Sequence, residues 1–187
     1  MVVEIGSGLL DKALALIAEE GYATFTLARL ASHAGVPLAD VYRAFPARTA
    51  VMTELGARID AAMEAGAPSG TEGTARDRIF DLVMTRLELL APYKNALLVF
   101  ARELPRVPQD AIGAARGLDH ASRRVLTMAG LDAGGVRGQM RVQSLTAIYA
   151  RVLKRWIDDD DPGLAPTMAL LDRWLRRAEN LTPNFWG

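Results

Sequence analysis

Residues 10–55 read LDKALALIAEEGYATFTLARLASHAGVPLADVYRAFPARTAVMTEL, and this stretch decides the expected fold. Apolar residues recur at spacings of three and four up to Ile17, which predicts one buried stripe on a first helix. The hydroxyl of Thr26 can accept a backbone N–H at the start of a second helix, and Gly35 can enter a tight turn without steric cost. A third short helix then ends at Phe45. Two short helices joined by a glycine turn predict a helix-turn-helix unit.

The same helical spacing continues through the rest of the chain, and no segment alternates with a period of two. We therefore predict an all-α protein of about nine helices, with an N-terminal helix-turn-helix three-helix domain and a C-terminal helical bundle. The predicted domains are residues 1–50, which hold the helix-turn-helix, and residues 51–187, which bind a ligand and form a dimer. The most loop-like run, residues 66–74, is a candidate domain boundary.

The composition excludes several kinds of site. Basic and acidic side chains both number 22, so the net charge is zero and nucleic acid could bind only to a locally basic face. The chain has no cysteine, which excludes disulfides and thiol chemistry. His33 and His120 lack partners at the spacings of metal sites or catalytic triads, so we expect no metal, no cofactor and no enzyme activity.

The sequence also predicts where the protein works. No charge-free apolar run approaches the ~20 residues that cross a bilayer. The first residues lack the basic segment of a signal peptide. We therefore expect a cytoplasmic protein without stable membrane insertion.

The stretch 10–55 resembles the DNA-binding domain of the TetR family of transcriptional regulators. The matching features are Gly-Tyr after the first helix, a threonine that opens the next, Ala-Gly-Val at the turn, Tyr-x-x-Phe, and a basic residue opening the fourth helix. The resemblance implies that the second helix of the motif enters the major groove while flanking elements contact phosphates. It places the DNA contacts on Thr26, Pro37, Leu38, Ala39, Tyr42, Arg43 and Arg48. In this interpretation Thr26 and Arg48 donate to phosphate oxygens.

The turn and third helix depart from the family pattern at several positions. Pro37 stands where serine or threonine is usual, Leu-Ala follows where Lys-Gly is frequent, and Ala44 replaces a common histidine. Asp40 adds negative charge to the helix that should approach phosphate. Residues 1–50 hold four basic and five acidic side chains, whereas phosphate neutralisation supplies most non-specific affinity for DNA. The sequence therefore leaves DNA binding and another use of the same fold both open.

The stretch 152–179 suggests that the fold could instead bind lipid. It resembles the end of ubiquinone-biosynthesis accessory proteins, which have a TetR-like fold but bind lipid. The shared features are an aromatic-ended helix, acidic residues before proline, a threonine and Leu-Asp-Arg. The alternative function is thus a lipid- or isoprenoid-binding accessory protein. Aspartates 158–161 are interpreted as a solvated linker that offers an N-cap to the last helix, since a calcium loop needs spaced ligands. Phe185 and Trp186 are interpreted as a disordered tail or a dimer contact, with a small interfacial anchor as the alternative.

Apolar residues of the C-terminal part predict an interface and a pocket. Broad apolar stripes on the last two long helices need a covering partner, and in TetR relatives these helices pair with their two-fold mates. The predicted homodimer interface consists of Ile148, Val152, Trp156, Leu171 and Trp174. The predicted pocket for a small apolar effector or lipid consists of Phe80, Met84, Leu87, Leu97, Phe100 and Met128, with a filled core as the alternative. The resemblance therefore implies a ligand-responsive repressor on a palindromic operator.

Overall fold

A computed structural model describes residues 2–66, 73–181 and 185–186. These residues form nine α-helices and no strand, which confirms the predicted all-α class. Short 3-10 turns at Ala91–Tyr93 and Leu104–Arg106 flank α6. In chain order the helices are α1 (Val2–Glu20), α2 (Leu27–Ala34), α3 (Leu38–Ala44), α4 (Ala50–Ala65), α5 (Ala75–Leu90), α6 (Lys94–Glu103), α7 (Pro108–Met128), α8 (Gly135–Ile157) and α9 (Ala165–Leu181). Among the described helices, none has the length and apolar character to cross a membrane.

One predicted helix start is three residues early. The sequence places the start of the fourth helix near Ala47, so that the basic residue Arg48 opens it, whereas α4 begins at Ala50. The backbone N–H groups of Ala50 and Val51 donate to carbonyls three residues earlier, at Ala47 and Arg48. Arg48 therefore lies in a tight turn before the helix and not on its first turn.

The chain divides into two compact units. The first contains residues 1–58 and 92–117, and the second contains residues 59–91 and 118–187. The predicted helix-turn-helix lies wholly in the first unit, together with α6 and the first half of α7. Gly66 and Gly73 both belong to the second unit, so the loop-like run does not separate the units, and residues 67–72 of that run lie outside the described residues. The functional division at residue 50 stays a prediction.

The first unit is built around α1, which packs against α2 and α6. Its apolar stripe, which includes Leu10 and Ile17, is almost fully buried. The hydroxyl of Thr26 accepts the backbone N–H of Arg29 at 3.2 Å and so caps α2. Gly35 ends α2 with a φ of 68°, a left-handed conformation that glycine adopts without the clash of a Cβ atom. The cap and the glycine together fix the turn between α2 and α3.

The second unit is held together by the packing of α9 on α8 and of both helices on α5. Thr74 and Asp77 form a reciprocal capping box at the start of α5, which satisfies backbone N–H groups of its first turn. Near the start of α8, a Cβ atom on Gly138 would lie 2.3 Å from the carbonyl carbon of Ala133. The turn before α8 can therefore pass close to the helix only because residue 138 has no side chain.

The aspartate run 158–161 joins α8 to α9 and offers the last helix its caps, as predicted. The Oδ2 atom of Asp161 accepts the backbone N–H of Ala165 at 2.9 Å. Asp159 is buried, and its carboxylate accepts both the backbone N–H of Thr167, at 3.1 Å, and the Thr167 hydroxyl. The hydrogen bond from that hydroxyl lowers the pKa of Asp159 below its usual value. A solvated linker is thus the wrong interpretation for Asp159, because its oxygens satisfy buried donors of α9.

Phe185 and Trp186 pack within the second unit. Both side chains are buried, and their rings meet edge to face with centroids 4.6 Å apart. The indole N–H of Trp186 donates to the carbonyl of Leu175 at 3.2 Å, and the guanidinium of Arg141 donates to the carbonyl of Phe185 at 2.8 Å. The predicted tail, dimer contact and interfacial anchor are therefore wrong for these two residues, since their own chain covers both rings.

Candidate nucleic-acid interface

α3 has one side in the core and another side in solvent. Val41 is fully buried and anchors the helix in the first unit. Leu38 and Tyr42 lie one turn apart and are 39% and 53% exposed. Pro37, at the N-cap, and Ala39 are also exposed. The structure thus brings four of the predicted DNA contacts onto the accessible surface of one short helix.

Every lysine and arginine within residues 8–58 has a partner inside the first unit. The pairs are Lys12 with the carbonyl of Ala34, Arg29 with Glu20, Arg43 with Asp40, Arg48 with Asp110, and Arg58 with Asp11. Three of the five cations therefore pair with carboxylates of the same segment, which agrees with the acidic balance of residues 1–50. A phosphate that binds to one of these cations competes with an internal partner.

Exposure separates the pairs that can exchange a partner from those that cannot. The side chain of Arg43 is 78% exposed and that of Arg29 is 48% exposed, and an ion pair at such positions contributes about 0–1 kcal/mol. A phosphate oxygen can replace the acidic partner of either arginine at little cost. Arg48 is 24% exposed and its partner Asp110 only 8%, so breaking that pair would leave a buried carboxylate without its cation.

Arg48 belongs to a buried network that the sequence did not reveal. The Tyr22 hydroxyl donates to Oδ2 of Asp110 at 2.9 Å, and the same oxygen lies 2.7 Å from Nη2 of Arg48. The Arg48 guanidinium also stacks 5.2 Å from the centroid of the Tyr22 ring. Burial, reinforced by the hydrogen bond to Asp110, raises the pKa of Tyr22 far above its usual range, so the hydroxyl keeps its proton and donates. Tyr22 and Asp110 are 88 residues apart, so no local pattern could have paired them.

The turn that leads into α2 is fixed by a second distant carboxylate. Oε2 of Glu103 accepts the backbone N–H of Ala23 at 2.8 Å. Thr26 then follows at the N-cap of α2, exposed, with its oxygen already accepting a backbone N–H. Within the described part of the chain, its hydroxyl hydrogen has no acceptor. The phosphate contacts predicted for Thr26 and Arg48 stay predictions.

Comparison with family models gives a match for the part of the chain that contains the helix-turn-helix. Residues 9–55 match the model described as bacterial regulatory proteins, tetR family. This segment is therefore similar to tetR-family regulatory proteins. The match spans α1 from residue 9 onward, α2, α3 and the first turns of α4, so it includes every DNA-contact candidate named above.

Solved structures extend the likeness beyond residues 9–55. A TetR transcriptional regulator from Nitrosomonas europaea ATCC 19718 matches with a TM-score of 0.72 at 21% identity, covering 94% of this chain and 98% of that chain. A TetR transcriptional regulator from Rhodococcus sp. RHA1 matches with a TM-score of 0.62 at 18% identity, covering 94% of each chain. No curated protein sequence matches the chain significantly. The fold is therefore TetR-like, and the resemblance of residues 152–179 to lipid-binding accessory proteins stays a prediction.

The predicted pocket residues of this TetR-like chain are divided between its two units. Leu97 and Phe100 belong to the first unit, where the Phe100 ring packs edge-on against Tyr22 with centroids 4.7 Å apart. The other four belong to the second unit, where Leu87 is fully buried: Phe80, Met84, Leu87 and Met128. The six residues therefore do not line one cavity of a single unit. The effector pocket predicted on these residues, and its filled-core alternative, stay predictions.

Phe80 borders a cleft of about 390 Å³ between α5 and α9. Its apolar surface comes from Phe80, Met168 and Leu175. Five charged residues share its walls, and they are Arg76, Asp77, Asp81, Asp172 and Arg176. This mixture differs from the purely apolar wall that the sequence predicted, because helical spacing identifies the buried stripe and not the charges that flank it.

Most of the predicted dimer residues are buried within their own chain. Ile148, Val152, Trp156 and Leu171 are each at most 5% exposed, since α8 and α9 seal their stripes against each other. These four side chains need no second copy to cover them, so the prediction of an interface on them is wrong. Trp174 is half-buried, with the guanidiniums of Arg151 and Arg177 stacked 5.1 Å and 5.3 Å from its ring centroid.

The second unit also holds a buried ion pair that we did not predict. Arg86 and Asp60 are 4% and 7% exposed and bond to each other, while Nε2 of His120 lies 3.3 Å from the other oxygen of Asp60. Burial raises the pKa of the neighbouring Tyr149. The Nε atom of Arg86 has no hydrogen-bond partner among the described residues. A sequence signal existed, because Arg86 occupies a position of the α5 stripe three residues after Val83.

Proposed function

We propose that the protein is a transcriptional repressor that binds a palindromic operator as a homodimer and leaves it when a small effector binds. The observation that supports this function is the solvent-facing side of α3, which lies within the segment matching the tetR-family model. A short helix anchored by Val41, with Leu38 and Tyr42 outward, has the dimensions to enter the major groove. A cytoplasmic location, where the chromosome is accessible, follows from that role.

Within this proposal, Arg43 and Arg29 are the principal phosphate contacts. Both are exposed and both hold their acidic partners through surface ion pairs, so exchange for a phosphate costs little. Thr26 adds a hydroxyl beside them at the start of α2. Arg48 would have to leave Asp110 first, so we place it behind the interface. Because few exposed cations are available to contact phosphate, the affinity for DNA should depend less on salt concentration than is usual for a repressor.

The homodimer is proposed to form through the exposed side of α8. Val136 and Met140 are 82% and 54% exposed, and exposed Ala147 continues the same side two turns later. When a second copy covers such accessible apolar side chains, they are removed from water and the free energy of the system falls. A two-fold dimer brings two copies of α3 to successive turns of the major groove, about 34 Å apart.

The effector site is proposed to be the cleft between α5 and α9. Its apolar side chains suit the body of a small organic molecule, and its five charged residues suit polar substituents. The effector can release the operator only if it binds more tightly to a state with low affinity for DNA. Substitutions at Phe80 should therefore change the response to effector without changing affinity for DNA in its absence.

The decisive experiment is equilibrium binding to duplex DNA recovered by selection from a random-sequence pool. We expect an enriched palindrome that binds the dimer with a linear dependence of log affinity on log salt concentration. Arg43→Ala should reduce that slope by about one unit for each interaction with phosphate that the substitution removes. Arg106→Ala is the matched control, because Arg106 also forms an exposed pair with a carboxylate three residues away, on Glu103, but lies outside residues 9–55. Failure to enrich any sequence would refute the proposed function.

The lipid-binding alternative predicts a different result for the same purified protein. Native mass spectrometry would then show a co-purified lipid or isoprenoid, and the selected pool would contain no enriched palindrome. A mass equal to that of the unliganded chain or dimer, together with operator binding, supports the repressor.

A further inference from the structure

The first turn of α3 exposes three consecutive residues that have no hydrogen-bonding side-chain group. They are Pro37, Leu38 and Ala39, and Pro37 also lacks a backbone N–H. Leu38 is 39% exposed, which is high for a leucine in a small helical unit. None of these three side chains can donate to or accept from the edge of a base pair.

Asp40 is the polar residue of the first turn of α3, and its carboxylate is already engaged. The carboxylate of Asp40 lies 2.6 Å from the guanidinium of Arg43, three residues away. Asp40 is half-buried, so it offers few further sites to a cytosine amino group. Arg43 and the hydroxyl of Tyr42 occupy the last turn. The exposed residues at the leading end of α3 are thus apolar, and the exposed polar groups, on Tyr42 and Arg43, are set back by one turn.

The major groove offers only one apolar group to such a surface. Each base pair presents hydrogen-bond donors and acceptors there, and thymine alone adds a methyl group, at C5. An apolar side chain pressed against a guanine or cytosine edge would leave polar atoms dehydrated and unpaired, which is unfavourable. Against a thymine methyl the same side chain buries apolar surface on both partners.

We infer that the first turn of α3 recognises the C5-methyl groups of thymine, with Leu38 as the main specificity-determining residue. This inference rests on the proposed function and deepens it, since it names the chemical feature that marks the operator. Each half-site should carry thymines under Pro37, Leu38 and Ala39. Burial of one methyl group should change affinity roughly fourfold.

The test removes the methyl group and leaves the hydrogen-bonding pattern of the base pair unchanged. The probe is the palindrome enriched by selection, in which each thymine is replaced in turn by deoxyuridine. We expect a roughly fourfold loss of affinity at the thymines under the first turn of α3 and no loss at thymines outside the half-sites. In a second series, 5-methylcytosine and cytosine replace the same thymines. The protein should bind the duplex with 5-methylcytosine more tightly than the duplex with cytosine by a similar factor, because the two bases differ only in the methyl group.

Substitution of Leu38 tests which residue makes the contact. Leu38→Ala should bind thymine and deoxyuridine duplexes with nearly equal affinity. Ile112→Ala is the control, because Ile112 is a 62% exposed apolar residue on α7 outside residues 9–55, and the variant should keep the wild-type discrimination. Circular dichroism checks that each variant is folded, and the comparison of probes with the wild-type protein decides the case even if a variant fails to fold.

The possible results separate this inference from the proposed function. Without any enriched duplex, both fail. With specific binding but equal affinity for thymine and deoxyuridine, the repressor stands and methyl recognition is overturned. If folded Leu38→Ala still prefers thymine over deoxyuridine by the wild-type factor, the role of Leu38 is overturned.

Discussion

Tyr22 connects the turn after α1 to α7 through one hydroxyl group. Its proton is donated to Asp110, an acceptor that also binds Arg48. Tyr22→Phe should lower the free energy of unfolding by about 2 kcal/mol, the contribution of a hydrogen bond to a charged partner. Urea denaturation followed by circular dichroism measures the change. Tyr42→Phe removes a hydroxyl from an exposed ring and should change stability by less than about 0.5 kcal/mol. Equal effects of the two substitutions would contradict the role given to Tyr22.

Asp159 allows a prediction about pH. Its folded-state pKa is lowered by the hydrogen bond from Thr167, so ionisation of Asp159 stabilises the fold above the unfolded pKa and this contribution is lost as the pH falls through the folded value. Asp159→Asn should therefore cost about 1–3 kcal/mol at pH 7, and the deficit should shrink below about pH 4. Urea titrations at both pH values test this. Asp160→Asn changes an exposed neighbour and should have little effect at either pH. A deficit independent of pH would exclude the ionised carboxylate as its source.

Single residues also show where the sequence stops being informative. Thr26 could be recognised as a cap, because the acceptor and its N–H partner are three residues apart. Arg48 could be recognised as a candidate phosphate ligand but not as a partner of Asp110, because that contact depends on how α7 returns to the first unit. The local role of Thr26 was therefore predictable from the sequence. The competition between Asp110 and a phosphate for the guanidinium of Arg48 was not predictable.

At the scale of helices, the glycines of α7 and α8 have opposite roles. Gly138 lies where a Cβ atom would meet the backbone of Ala133, whereas a Cβ on Gly113 would meet nothing within 4 Å. Gly138→Ala should destabilise the protein, by about 1–3 kcal/mol as in other overpacked positions. Gly113→Ala should raise stability by roughly 0.5–1 kcal/mol, since alanine is the better helix former. Thermal unfolding of both variants measures the difference, and a destabilised Gly113→Ala protein would show that the prediction is wrong.

The periodicity of apolar residues predicted where the helices lie in the sequence. It did not predict which helix surfaces pack against each other. The 3.6-residue pattern placed Val152 and Leu171 correctly on buried sides, but it could not tell burial against α9 or α8 from burial against a second copy. Both arrangements remove the same side chains from water. The exposed residues Val136 and Met140 were missed because the first turns of α8 are mostly polar.

For the whole molecule, the main expectation is a dimer formed through α8. Met140→Asp should shift the protein from dimer to monomer, because a carboxylate placed against a second copy would lose its hydration. Sedimentation velocity over a range of concentrations measures the assembly. Ile112→Asp introduces the same charge at another exposed apolar position and should leave the dimer intact. Unchanged sedimentation of Met140→Asp would place the interface elsewhere.

The tryptophans are confined to one part of the molecule, and this has a practical consequence. Trp156, Trp174 and Trp186 all belong to the second unit, and the first unit has none. Intrinsic indole emission therefore reports only the second unit, while far-ultraviolet ellipticity reports the helices of both units. If the two signals change at the same denaturant concentration, both units unfold in one cooperative transition. If ellipticity decreases first, the first unit unfolds while the second unit is still intact.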